Sequence, residues 1–344
     1  MKKKILCVLV LTLCAISFLT SATISSPAAT VKLIRNKVIS TTELNDNVAQ
    51  YKAQGVDVST LQVLNAMINA EVFSQGAEKA GYSLTSDQQD ALVAASKQNV
   101  ESQLGSTLTD DQFKQVISQQ TGLTMEDFKS YLTQQYIREQ YVSEAEPDII
   151  NNIKTPTSTE VLSFFKQNAK EFFNPEAVKL SHIFIPISDD ETENAKNLAT
   201  LESVLSQINN RTITFEKAVT EYSQDADSNQ KAGDIGWLSI DSTTDQQTMG
   251  EDFFNAAFAL DAGEVSEVIK SNFGYHIIKV SAHTQSKLLG IDDKISPDDA
   301  TTVRQYITSY LTTQNQQQAF IDAYNTLVAE LRSEASVKIL YQES

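Results

Sequence analysis

Between about residue 59 and residue 173, apolar residues recur every three or four positions, the spacing of one helix face. Two such stripes are Leu61, Leu64, Ile68 and Val72, followed by Phe128, Leu132, Tyr136 and Ile137. Helix starts are marked by a Ser or Thr three residues before a Gln or Asp, which is the capping-box spacing. These pairs are Ser59 with Gln62, Ser86 with Gln89, Thr109 with Gln112, and Thr124 with Asp127. The pattern predicts a long run of helices.

Strand-like patterns occur at both ends of the chain. Residues 31–39 are rich in residues that favour strands, and Arg35-Asn36-Lys37 supplies a turn, which together predict a hairpin. Val337–Leu340 predicts a single terminal strand, whose backbone groups would go unpaired without a partner. We therefore expect this strand to pair with the hairpin, so that the two chain ends form one domain.

The pattern changes after Asn174-Pro175, because proline disfavours helix at the residue before it. Strands and helices then mix, at Val178–Ile185, Thr192–Ile208, Phe215–Tyr222, Ile235–Leu238 and Tyr275–Val280. A last long helix is predicted from Ser296, with Pro297 in its first turn. The predicted fold class is α+β. A mainly helical domain of residues 30–175 is joined by a C-terminal helix and strand within residues 286–344, and residues 176–285 form an inserted α+β module.

The first residues are typical of a secretory signal peptide. Three lysines at positions 2–4 precede the apolar run Ile5–Leu19, and small residues follow it. We assign residues 1–29 to this signal, with cleavage between Ala22 and Ala29. The apolar run is short for a membrane span, and an uncleaved anchor stays as the alternative. The mature chain is predicted to be periplasmic or otherwise extracytoplasmic.

Both cysteines, Cys7 and Cys14, lie within this signal segment, so the predicted mature chain contains no cysteine. This excludes a disulfide, a thiolate nucleophile and a zinc-thiolate site from the mature chain. Cys14 is alternatively a lipidation site, although Leu13 stands where such sites prefer a small residue. A lipoprotein, or a chain tethered to a membrane through its uncleaved signal, therefore stays open as an alternative.

The charge balance narrows the choice of partners. The chain has 44 acidic and 27 basic side chains, a formal net charge of -17, which repels phosphates and argues against nucleic acid. The three histidines are His182, His276 and His283, and none has the spacing of a paired zinc ligand. No metal and no cofactor are predicted.

Seven short segments between Glu176 and His283 resemble the parvulin type of peptidyl-prolyl cis/trans isomerase, and they follow that family's order. They are Leu180–Ile183, Phe215–Ala218, Tyr222–Asp225, Gly233–Trp237, Phe254–Phe258, Gly263–Ser266 and Phe273–Ile278. One such segment alone is a weak signal, whereas seven in order are specific. The resemblance implies a parvulin-like domain that isomerises X-Pro bonds.

The resemblance also implies the residues of a site. His182, Asp225 and His276 take the catalytic positions, with the histidines hydrogen-bonded to each other and Asp225 beside the isomerising carbonyl. Four further positions are implied to bind the substrate proline: Ile235, Met249, Phe253 and Ser271. Isomerisation makes and breaks no bond to carbon, so it needs no nucleophile, metal or cofactor.

The flanking regions resemble SurA-type folding factors in the order of their hairpin, helices and terminal strand. This implies a helical chaperone whose partners are unfolded or proline-containing polypeptides. Two hypotheses of function follow. The first is an isomerase and chaperone that assists the folding of exported proteins. The alternative is a non-catalytic chaperone that uses the parvulin-like domain only to bind its clients.

Overall fold

The computed structural model describes residues 25–342, which divide into two compact units. We call residues 25–156 together with residues 310–342 the helical unit, and residues 157–309 the sheet unit. The predicted α+β fold class, with an α+β module inserted into a mainly helical domain, is confirmed. Cys7, Cys14 and the basic and apolar parts of the predicted signal lie outside the described residues.

The helical unit begins with a hairpin of β1 (Pro27–Lys32) and β2 (Asn36–Ser40), as predicted. Residues 33–35 make its turn, so the turn starts two positions before the predicted Arg35. Six helices follow in the described chain before residue 157. They are α1 (Thr41–Ala53), α2 (Thr60–Lys79), α3 (Ser86–Leu104), α4 (Asp110–Thr121), α5 (Met125–Ala145) and α6 (Pro147–Asn151).

Side-chain caps set the starts of these helices. Ser59, Thr109 and Thr124 cap α2, α4 and α5 at the predicted positions. The start of α3 lies one residue before the prediction, because Thr85 and Gln88 make the reciprocal bonds. Each cap gives a partner to backbone N–H groups that the first turn of a helix leaves unpaired.

The sheet unit contains both helices and strands. Its elements are α7 (Ser158–Gln167), β3 (Phe173–Asn174), β4 (Ala177–Pro186), α8 (Glu191–Asn209), α9 (Phe215–Tyr222), α10 (Ala226–Asn229), β5 (Asp234–Ser239), α11 (Thr243–Met249), α12 (Glu251–Ala259), β6 (Ile269–Lys270), β7 (Gly274–Thr284) and β8 (Lys287–Leu288). Four strands form an antiparallel sheet in the order β5-β4-β7-β6.

The two faces of this sheet bury different side chains, because successive residues of a strand point to opposite sides. On one face, Ile183, Ile185 and Ile277 pack with residues of α8 and α9. On the other face, Leu180 and Ile278 pack with the phenylalanines of α12. The second face also carries the histidines described below.

The sheet unit is longer at both ends than the predicted module of residues 176–285. The ring of Phe172 contacts Phe165 and Tyr306, with ring centroids 5.6 and 6.4 Å apart. The short strands β3 and β8 pair as well. These contacts lie within the compact unit of residues 157–309, which extends beyond the predicted boundaries after residues 175 and 285.

The described chain ends with α13 (Val303–Glu334) and β9 (Ser336–Ile339). The predicted helix start at Ser296 is wrong. Asp299 accepts a hydrogen bond from the Thr301 N–H and closes a turn there, and Thr302 with Gln305 caps the helix instead. Within residues 25–342, no helix has both the length and the apolar composition that a membrane span requires.

The predicted pairing of the two chain ends is confirmed, since β9 lies antiparallel to β1 in a sheet of order β2-β1-β9. Ala28 and Ala29 of the central strand are fully buried, in one core with Leu64 and Ile68 of α2. The folded domain therefore includes residues 28 and 29, which the prediction gave to the signal segment.

Candidate active site

Two histidines meet on the face of the sheet that α12 covers. His182 lies on β4 and His276 on the adjacent strand β7, and their Nδ1 atoms are 3.2 Å apart. In the strand register His182 is opposite Ile278, and His276 is opposite Phe184, so the histidines form a diagonal pair. Both are buried, with 6% and 1% of their surface exposed.

Aromatic side chains surround this pair and set its protonation. Phe184 stacks on His182, and Phe253 meets the His276 ring edge to face with centroids 5.0 Å apart. Burial lowers the pKa of His182, although Asp225 acts in the opposite direction. Burial and the neighbouring His182 lower the pKa of His276 to about 3. Both rings are therefore neutral near pH 7.

The hydrogen-bond partners fix the tautomers of both rings. Ser271 Oγ accepts from the N–H groups of Phe273 and Gly274, at 3.0 and 3.3 Å, so its own proton donates to His276 Nε2 at 2.7 Å. His276 then carries its proton on Nδ1 and donates to His182 Nδ1. His182 in turn donates from Nε2 to Asp225 Oδ2 at 2.8 Å. Donors thus point in one direction from Ser271 to Asp225.

Asp225 ends this chain of hydrogen bonds, at the N-cap of α10. Its carboxylate also accepts from the Ser228 hydroxyl and from the Asp227 N–H. Burial alone would raise the pKa of Asp225, but the hydrogen bonds from Ser228, His182 and Asp227 outweigh burial and lower it. The carboxylate is therefore ionised, and 23% of the side chain is exposed, so a peptide can approach it.

The structure thus brings five of the predicted residues into one connected set: His182, His276, Asp225, Ser271 and Phe253. Met249, at the end of α11, packs on the apolar cluster that contains Phe253. Ile235 lies on β5, two residues after Gly233, whose carbonyl accepts from the His182 N–H. It is 39% exposed. The roles of these residues stay predictions.

Sequence reasoning missed two members of the site. Phe184 stands two residues after His182, so strand alternation alone predicts that it shares the histidine face. Ser228 stands three residues after Asp225 and is 2% exposed. The Asp-x-x-Ser spacing at a helix start was the available signal for it.

The third histidine is separate from this site. His283 Nε2 and Nδ1 lie 2.8 Å from Glu176 Oε1 and 2.8 Å from the Leu260 carbonyl oxygen. In residues 25–342, no group of three or more His, Cys, Asp and Glu side chains is arranged to hold a metal ion. The described site thus offers neutral imidazoles, hydroxyls and one ionised carboxylate beside apolar surface.

Residues 162–284 match the family model of the PPIC-type PPIase domain. This match confirms the predicted parvulin-type domain. Among curated proteins, the foldase protein PrsA of Clostridium kluyveri is 29% identical over 224 residues, which are 63% of this chain and 59% of that protein. PrsA of Clostridium botulinum strain Langeland is 26% identical over 219 residues, 63% of this chain and 55% of its own length. The chain thus spans less than two thirds of these relatives.

Two solved structures are similar over most of this chain. One is a SurA-like chaperone of Campylobacter jejuni, from work on PEB4 and Cj1289, with 22% identity, a TM-score of 0.35, and coverage of 91% of this chain and 100% of that one. The other is PrsA of Bacillus anthracis, with 23% identity, a TM-score of 0.27, and coverage of 77% and 96%.

Proposed function

We propose that residues 162–284, the PPIC-type domain of this chain, catalyse cis/trans isomerisation of X-Pro bonds in polypeptide clients. One observation carries this proposal. A directed chain of hydrogen bonds from Ser271 through both histidines ends on the ionised Asp225, and His276 in this chain contacts Phe253 of the apolar cluster on which Met249 packs.

The reaction requires a twisted amide to be bound better than a planar one. In the planar amide, resonance puts partial negative charge on the carbonyl oxygen and double-bond character on the C–N bond, with a barrier of about 18–20 kcal/mol. Twisting returns that charge to nitrogen. A carboxylate at Asp225, close to the carbonyl oxygen, repels the planar form more than the twisted one and so lowers the barrier.

The two histidines act through Asp225 in this proposal. Being neutral and fixed as tautomers, they supply a donor to its Oδ2 atom without adding a positive charge that would cancel the carboxylate. Met249 and the exposed Ile235 provide apolar surface for the proline ring, and Phe253, which is 1% exposed, supports this surface from within the buried cluster on which Met249 packs. Neither a nucleophile nor a proton transfer is needed.

We infer that the whole chain is an extracytoplasmic foldase whose helical unit holds unfolded polypeptides. Three points support this inference. The basic residues Lys2–Lys4 are followed by the apolar run Ile5–Leu19, as in a secretory signal. The PrsA relatives are named foldases, and the Campylobacter jejuni protein is named a chaperone. Cleavage of the signal and lipidation of Cys14 belong to this inference as open alternatives. The clients are unfolded chains that contain proline.

The test is a protease-coupled assay with a tetrapeptide containing cis-proline. Asp225→Ala should slow isomerisation by at least about tenfold, or ~1.4 kcal/mol of barrier. The matched control is Asp227→Ala, which removes an exposed carboxylate two residues away and should keep turnover within about twofold. Unchanged turnover in Asp225→Ala would remove this residue from the mechanism.

The same assay separates the two hypotheses of function. A wild-type chain that suppresses aggregation of an unfolded client but gives no rate enhancement on the peptide would support the non-catalytic chaperone. Rate enhancement that depends on Asp225 supports the isomerase.

A further inference from the structure

The C-terminal end of α11 depends on one residue outside that helix. The last four carbonyl groups of a helix lack intrahelical partners. In α11 the first of these, Gln246 O, accepts from the Gly250 N–H at 2.9 Å. The other three all accept from Asn272. Its side-chain amide donates to Gln247 O and Thr248 O at 3.1 Å each, and its backbone N–H donates to Met249 O at 3.1 Å.

The residues of α11 are exposed or only partly buried. None of its seven residues, Thr243–Met249, is fully buried, and Met249 is the one that packs on the apolar cluster containing Phe253. Gly250 follows in the left-handed region at φ 96°, where a Cβ would lie 3.3 Å from the Asn272 Oδ1 atom. The absence of a side chain at residue 250 therefore lets Asn272 approach the helix end.

Asn272 also belongs to the turn that orders the histidines. The preceding residue, Ser271, donates to His276, and its oxygen accepts from the backbone N–H groups of Phe273 and Gly274. In this one short turn, Ser271 contacts the hydrogen-bond chain and Asn272 contacts the end of α11. The position of Met249 relative to His276 is set through two adjacent residues.

We propose that Asn272 is a positioning residue for client binding, which fixes Met249 as a wall of the proline pocket. This inference rests on the proposed isomerase function. Because Met249 contacts the proline ring in the planar and twisted forms alike, loss of its position weakens binding of both. The effect therefore falls on KM, and kcat changes little.

The experiment compares Asn272→Asp with Asn255→Asp in the full chain. The first variant keeps the shape of the side chain but turns its amide donor into a second acceptor oxygen, which then faces the Gln247 and Thr248 carbonyls at the negative end of a helix; the backbone N–H bond to Met249 O is unchanged. The second makes the same chemical change at an exposed position of α12. We expect Asn272→Asp to raise KM about fivefold with kcat within about twofold, and Asn255→Asp to change neither.

A second readout is independent of activity. Of the four methionines, Met249 is the one in the sheet unit, so a methyl-labelled methionine NMR spectrum gives one signal for this wall. The Met249 methyl signal should shift and sharpen in Asn272→Asp and stay in place in Asn255→Asp.

The two readouts keep the inference and the proposed function distinguishable. An unchanged Met249 signal and an unchanged KM in Asn272→Asp would overturn the positioning role while leaving the isomerase intact. A fall in kcat with constant KM would also overturn it, since Asn272 would then act on the reaction itself. If the wild-type chain shows no isomerase activity, the proposed function fails, and the NMR signal still decides whether Asn272 fixes Met249.

Discussion

Each unit of this protein buries a network of polar side chains, and the two networks differ in their hydrogen-bond partners. In the helical unit, Gln75 is fully buried. Its Oε1 atom accepts from three successive N–H groups in the hairpin turn, those of Leu33, Ile34 and Arg35, at 3.0, 3.0 and 3.1 Å. Its Nε2 atom donates to Glu71 at 2.8 Å. Three of the four hydrogen-bond partners of Gln75 are therefore backbone N–H groups.

In the sheet unit, the network runs through side chains that titrate. His276 and His182 are held neutral by burial, and the chain of donors ends on a carboxylate that reaches the surface. Buried polar groups therefore serve two purposes in this protein. An amide that satisfies backbone groups stabilises the fold, whereas aligned imidazoles set the charge and orientation of Asp225.

The largest expected effect is a loss of stability when the hydrogen bonds of Gln75 are removed. Gln75→Met keeps the side-chain volume but leaves three turn N–H groups and Glu71 without this partner. We expect the free energy of unfolding of the helical unit to fall by about 2–3 kcal/mol. Denaturant titration followed by circular dichroism measures it. Gln98→Met, at an exposed site on α3, is the control and should stay within about 0.5 kcal/mol of wild type. Equal losses in both variants would show that the Gln75 bonds do not stabilise the fold.

A smaller effect should appear as rate rather than stability in the sheet unit. Ser271→Ala removes the donor to His276, so the tautomers of both histidines are no longer fixed. We expect kcat/KM to fall about tenfold and the free energy of unfolding by about 1–2 kcal/mol, because the Phe273 and Gly274 N–H groups also lose their acceptor. Trp237, the single tryptophan, reports unfolding of the sheet unit by fluorescence.

Ser281→Ala is the control for this variant, because Ser281 lies on β7, the strand of His276, and donates to a backbone carbonyl in an exposed position. It should leave kcat/KM unchanged. A loss of several kcal/mol in Ser271→Ala with normal turnover would make the histidine network structural, like that of Gln75.

The sequence predicted what depends on neighbours along the chain. Capping pairs three residues apart located the starts of α2, α4 and α5, and alternation located β4. The histidine pair came from the order of seven family-like segments, since nothing local links two residues 94 positions apart. Gln75 escaped prediction because its partners lie about 40 positions away. Ser296 misled because its cap-like sequence closes a turn around Asp299 instead.

His283 belongs to the same sheet as the histidine pair, but its surroundings shift its pKa in the opposite direction. Both ring nitrogens of His283 face acceptors, the Glu176 carboxylate and the Leu260 carbonyl, so both must carry protons in this arrangement. The hydrogen bond to Glu176 raises the pKa of His283, burial opposes it, and the Leu260 carbonyl and the charges of Glu176 and Asp261 add to the rise.

The smallest expected effect is therefore a pH dependence of opposite sign to that of the pair. The folded state holds the His283 proton more tightly than the unfolded state, whose ordinary pKa is about 6.5. Its contribution, about 0.5–1 kcal/mol for a partly exposed ion pair, is complete below pH 6.5 and is lost as pH rises through the raised pKa. For His182 and His276, stability is complete above pH 6.5 and is lost as pH falls. Unfolding followed through Trp237 should show His283→Gln less stable than wild type at pH 6 and equal to it at pH 9. A difference that stays constant from pH 6 to pH 9 would show that His283 is not protonated in the folded state.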